Sequence, residues 1–128
     1  MFSIELKSRT AIYEQIVSAV EDGILKGLIL SGEQLPSVRV LSLELTLNPN
    51  TVSRAYLELE RRGLIVSLVG KGCFVKEDAQ AILKSKRLSD LSAFEDAVKG
   101  LRLAGLEKET LIAQIEKIYQ EETKNDRN

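Results

Sequence analysis

Apolar side chains return every fourth position from Ile12 through Ile16 and Val20 to Ile24, with Tyr13, Val17 and Ala19 beside them. This stripe predicts an amphipathic helix over residues 11–26. Thr10 is placed to cap it and Gly27 to stop it, because glycine reaches the left-handed conformation at a helix C-terminus without a Cβ penalty. The stretch LILSGEQLP that follows is short and extended in character. Its Ser31-Gly32 reads as a turn, and Pro36 forbids a helix running through it. Ser37 is a suitable N-cap for a second helix of about ten residues, with Val38, Leu41 and Leu45 on one face.

The cluster Leu47-Asn48-Pro49-Asn50 breaks the pattern and restarts it. Asn48 is the expected N-cap and Pro49 the first helical residue, where a missing N–H costs nothing. A third helix over residues 49–62 buries Val52, Tyr56, Leu57 and Leu59 to differing degrees and ends at Gly63. Residues 64–68 and 73–76 are rich in Ile, Val, Leu and Phe and flank Val69-Gly70-Lys71-Gly72, which predicts a β-hairpin. Beyond Lys76 the composition shifts to Ala, Lys, Glu and Leu, so residues 77–87 read as a linker, helical or not, and a domain boundary falls near Lys76. Leu91, Phe94, Val98 and Leu101 then recur with the spacing of helices that pack on one another. Gly105 ends that helix. Leu111, Ile115, Ile118 and Tyr119 form the stripe of a last one, with Glu107 and Glu109 near its positive start and Lys117 and Lys124 toward its negative end. Residues 124–128 are expected to fray.

Helix, short strand, two helices joined by a tight turn, then a hairpin is the order of a winged helix-turn-helix, whose second paired helix enters the DNA major groove. The fold class is therefore mainly α with a small β-hairpin. A winged helix-turn-helix domain over residues 1–76 is followed by a linker and two-helix dimerisation tail over residues 77–128.

Composition narrows the chemistry. Among 128 residues there is no His and one Cys. A His general base, a Ser-His-Asp or Cys-His nucleophile and a His-ligated metal are all excluded, and no catalytic residue, metal or cofactor is expected. The lone Cys73 makes no intrachain disulfide, which fits the cytoplasm, and reads as a small apolar residue of the second strand. No stretch has the length of about 20 apolar residues that a membrane span needs. Residues 1–10 lack the basic start and apolar core of a signal peptide, so the chain is read as beginning at its functional N-terminus.

Net charge is −1, but residues 37–76 carry six basic side chains (Arg39, Arg54, Arg61, Arg62, Lys71, Lys76) against Glu44, Glu58 and Glu60, a local balance of +3. A positive footprint confined to one region suits a reader of double-stranded DNA.

The strings IYEQIVSAVEDGILKG, LPSVRVLSLEL, NPNTVSRAYLELERRGLI and GKGCFV, in this order over residues 10–76, resemble the DNA-binding domain of GntR-type bacterial transcription regulators. The NPNTVSRAY string with a C-terminal part of only about fifty residues is similar to the YtrA-like subgroup, whose tail is a small helical dimerisation unit. Two positions depart from the family pattern. Val40 stands where a Glu usually follows the Arg, so the reciprocal capping box with Ser37 is lost. Ala11 replaces a frequent Pro, at little cost to the helix.

The resemblance implies a homodimeric repressor bound to a palindromic operator. Its DNA-contacting positions here are Ser37, Arg39, Asn48, Asn50, Thr51, Ser53, Arg54 and the wing tip Gly70, Lys71 and Gly72. The chemistry agrees: arginine forks onto guanine edges, a helix N-terminus attracts phosphate, and glycines let a backbone approach closely. Ser37 and Asn48 are equally suited to capping, and Arg61 and Arg62, about two turns beyond Arg54, read as surface or backbone-facing charges. Tyr56 and Phe74 are expected in the core. Leu91, Phe94, Val98, Leu101, Leu111, Ile115, Ile118 and Tyr119 are too many for two short helices to cover alone, which points to a second copy. A small-molecule effector, if one binds, would sit between the tail helices or at the dimer interface. The alternative reading is a winged-helix protein-interaction module that does not touch DNA.

Overall fold

The periodic stripe of the first segment becomes α1 (Ile12–Leu25), in which Ile16, Val17, Val20 and Ile24 are buried. The computed structural model describes residues 3–126, with side chains to residue 122. The N-cap of α1 is Ala11, which makes no side-chain cap bond, so Thr10 does not serve as the cap. Gln15 takes over the work of fixing the entering chain. Its Nε2 donates to the carbonyls of Thr10 and Glu5, both at 2.9 Å, and its Oε1 accepts from the Glu5 N–H at 2.8 Å. Gly27 follows the helix at φ +76°, as its position predicts. The N–H groups of Leu28 and Ile29 turn back to the Gly23 carbonyl at 2.8 and 3.0 Å, and Ile29 is buried.

Ser37 caps α2 (Val38–Leu45), accepting from the Val40 N–H at 3.1 Å. The helix has 8 residues, because Thr46 adopts a left-handed conformation at φ +55° and redirects the chain. Two residues later Asn48 caps α3 (Pro49–Arg61), accepting from the Asn50 N–H at 2.8 Å with Pro49 at the first position. Val52, Ala55, Tyr56 and Leu59 of α3 are buried. Leu57, expected to share in that burial, is 64% exposed. At about 100° per residue it lies with Asn50, Arg54 and Arg61 on the face opposite the core.

The hairpin forms as β1 (Ile65–Leu68) and β2 (Gly72–Val75), antiparallel, in the register Ile65↔Val75 to Leu68↔Gly72. Gly72 thus belongs to the strand rather than to the connecting loop. The segment before α2 runs along the other edge of β2. There Leu35 N–H donates to Cys73 O and Val75 N–H to Glu33 O, both at 2.9 Å, and Gln34 bridges Phe74. The wing is therefore backed by a third extended piece of chain.

Residues 77–87 are not a polar linker. They hold most of α4 (Ala79–Leu88), whose Ala79 and Leu83, one turn apart, are buried in the same core as α1, α3 and the hairpin. Compactness accordingly divides the chain after Arg87, well beyond the composition shift at Lys76, into units of residues 1–87 and 88–128. The second unit contains α5 (Asp90–Leu103), a turn through Gly105 at φ +93°, and α6 (Lys108–Asp126). No residue of α5 is buried. The backbone of α6 reaches Asp126, into the segment expected to fray; the side chain of Lys124 and residues 127–128 lie outside the described part. Among the described residues no helix is long and apolar enough to cross a membrane.

Candidate nucleic-acid interface

The α2–α3 pair is held rigidly from inside. Tyr56, buried at the core face of α3, donates its hydroxyl to the Pro36 carbonyl at 2.6 Å and so fixes the residue just before the α2 cap. Burial, with lesser contributions from the neighbouring Cys73 and Glu44, pushes this phenol far above its ordinary range, so it remains a donor. Buried Ser42 donates to the Arg39 carbonyl at 2.9 Å, which ties down the first turn of α2.

On this frame the side chains at the start of both helices point outward or stand half exposed. Arg39 and Asn50 are exposed, and Thr51 and Ser53 are half-buried. Ser37 and Asn48 are exposed but their oxygens are committed to capping. Each keeps a donor, a hydroxyl proton or an amide NH2, for a second contact. Arg54 is exposed, and its guanidinium carbon lies 3.9 Å from the centroid of the Tyr13 ring.

Arg61 and Arg62 are occupied within the fold. Glu58 accepts from Arg61 Nε and Nη2 at 2.9 and 2.5 Å and from Arg62 Nε at 2.8 Å. Arg62 Nη1 reaches the buried carboxylate of Glu21 on α1 at 3.1 Å. Hydrogen bonds from Arg61 and then Arg62 hold the Glu58 carboxyl down to about 2, against a smaller opposing effect of desolvation. With these two guanidiniums spent, the exposed cations of residues 37–76 that no carboxylate pairs among the described residues are Arg39, Arg54 and Lys71, one on each of α2, α3 and the wing.

The wing turn is closed by the Lys71 N–H donating to Leu68 O at 2.9 Å, with Gly70 at φ +75°. Gly72 follows at φ +114°, and a Cβ there would lie 2.6 Å from Gln34 Nε2. That same amide donates to the Lys71 carbonyl at 2.9 Å, so Gln34 props the wing tip from beneath. Cys73 is half-buried with its sulfur 3.2 Å from Ser67 Oγ, and Phe74 is half-buried.

Two residues of this arrangement escape sequence reasoning. Gln34 sits in a loop far from the wing in sequence and bears no local signal. Tyr13 sits in the apolar stripe of α1 and reads as core. The residues read as a dimerisation set all fall in the second unit. Val98 and Leu111 are half-buried, and the other six are exposed, from 39% for Ile115 to 73% for Tyr119.

Residues 12–75 match the model for bacterial regulatory proteins of the gntR family. The HTH-type transcriptional repressor YtrA of Bacillus subtilis is 39% identical over 92% of this chain and 92% of its own length. Among solved structures, a GntR family transcriptional regulator from Listeria monocytogenes superposes with a TM-score of 0.72 at 32% identity, covering 88% of this chain and 98% of that one. YtrA from Sulfolobus acidocaldarius, a GntR-family transcription factor, gives 0.57 at 35% identity, covering 71% of this chain and 97% of its own.

Proposed function

The chain belongs to the GntR family of bacterial regulatory proteins, as a DNA-binding transcription regulator, and from that premise we propose that it is a cytoplasmic homodimeric repressor of a two-fold symmetric operator. The observation that carries the DNA contacts is the set of three exposed cations that no carboxylate pairs among the described residues, Arg39 on α2, Arg54 on α3 and Lys71 in the wing. Asn50 and Ser53, with Arg39 and Arg54, read base edges in the major groove. The α2 and α3 N-termini face phosphates through the side-chain donors of Ser37, Asn48 and Thr51, and the helix dipole favours negative charge there, while the first N–H groups of α3 are already bonded to Asn48. Gly70 and Gly72 bring the wing backbone close while Lys71 supplies charge to the minor groove or a phosphate.

Repression is the activity named for the B. subtilis relative of matching length. The homodimer rests on the exposed apolar stripes of α5 and α6, centred on Leu91, Phe94, Leu101, Ile115 and Ile118, which are left 39–62% exposed. Two copies related by a two-fold axis present two α3 helices to half-sites about one helical turn, roughly 10 bp, or a multiple of it, apart.

The test is an equilibrium titration of the protein with its own upstream DNA and with a scrambled duplex, repeated over several salt concentrations. Preference for the native fragment is expected, with log affinity falling linearly in log salt at a slope of about −0.9 per phosphate neutralised. Equal affinity for both duplexes, or a slope near zero, overturns the reading.

A further inference from the structure

Tyr13 lies on α1, outside every element that a helix-turn-helix inserts into DNA, yet its ring carries the guanidinium of Arg54 at 3.9 Å. We propose that Tyr13 is a positioning residue for DNA recognition: its ring fixes the Arg54 guanidinium beside the start of α3, so that Arg54 meets the duplex already ordered. The inference rests on the DNA-binding reading above and deepens it.

Three features support it. Arg54 shares the outward face of α3 with Asn50, one turn apart, and among the described residues no carboxylate pairs with it, whereas Arg61 and Arg62, about two turns farther along, are both tied to Glu58. The partner it has among the described residues is a π-face, which holds the cation without neutralising it and leaves its N–H edge for an acceptor. A free arginine loses rotamer entropy when it is fixed, so prior fixing by the ring reduces what binding must supply. The ring is itself anchored, since Tyr13 packs against the core and its hydroxyl donates to Glu14 Oε1 at 3.1 Å.

A merely structural role for the ring makes a different prediction, which a double-mutant cycle separates. The probe is the duplex that the wild-type protein enriches from a randomised library. Tyr13→Leu is expected to weaken binding about threefold, the scale of an exposed cation–π contact. Tyr13→Phe, which keeps the ring, is expected to bind as the wild type does. Arg54→Lys keeps the charge but loses both the planar stack and the guanidinium fork, and is expected to lose more than Tyr13→Leu. In an Arg54→Ala background the Tyr13→Leu effect should vanish.

A Tyr13→Leu loss that persists in the Arg54→Ala background assigns the ring to stability alone and overturns the proposal. So does wild-type affinity in Tyr13→Leu, even where Arg54→Ala itself binds weakly and the DNA reading stands. Failure of the wild-type protein to enrich any sequence removes the DNA reading and the inference together. Should Tyr13→Leu not fold, as thermal melting reveals, Tyr13→Met takes its place in the same cycle with Arg54→Ala.

Discussion

At Gly72 two demands meet that no side chain satisfies together: a φ of +114° and a Cβ position 2.6 Å from Gln34 Nε2. Gly72→Ala should cost roughly 1–2 kcal/mol through the backbone alone, measured by urea unfolding, and DNA affinity should fall as well because the wing tip shifts. Lys71, one residue away, carries only charge. Lys71→Ala should weaken binding to all sequences alike and reduce the salt slope by about one phosphate, while Arg39→Ala should lose about 1–3 kcal/mol selectively at the base it reads. Competition between matched and singly substituted duplexes distinguishes the two patterns. At this scale the sequence is most readable where the interaction is local: the Ser37 and Asn48 caps close within three residues of themselves. Thr10 misleads because the same job is done by a longer side chain, Gln15, from inside the helix. Gln34 and Tyr13 stay hidden because their partners lie on other elements.

Between elements, one carboxylate links three charges. Glu58 joins Arg61 and Arg62 on α3, and Arg62 carries the connection to Glu21 on α1. The folded carboxyl titrates at about 2 instead of its ordinary 4.5. A depressed acid favours the folded state above its unfolded value, and that contribution is lost as pH falls from about 4.5 toward 2. Thermal melting across this window should show a destabilisation that Glu58→Gln flattens, and added salt should shrink the difference because Glu58 and Arg61 are exposed to screening. The elements themselves are legible from periodicity, with two exceptions of physical interest. Leu57 follows the α3 stripe in kind but not in angle. The α4 segment is polar in composition, yet burying one helical face takes only Ala79 and Leu83, so a helix of the core passes for a linker.

The whole molecule consists of two compact units with opposite economies. The first buries Ile16, Leu41, Val52, Leu59, Leu64 and their neighbours within itself. The second leaves every residue of α5 unburied and its apolar stripes open, which a folded monomer in water does not favour. Phe94→Glu together with Ile115→Glu should convert a dimer in sedimentation equilibrium into a monomer. Far-UV circular dichroism should report the first unit still folded, and operator affinity should fall because one half-site is then bound at a time. Neither the operator sequence nor the partner of these helices is written in periodicity or caps, since both depend on atoms outside the chain.

The most direct test of a two-fold symmetric repressor complex is hydroxyl-radical footprinting of the wild-type protein on its own upstream DNA. The account predicts two protected patches related by a dyad, about 10 bp or a multiple of it apart, appearing together as protein is added. A single protected half-site at saturation, or no protection at low salt, contradicts it.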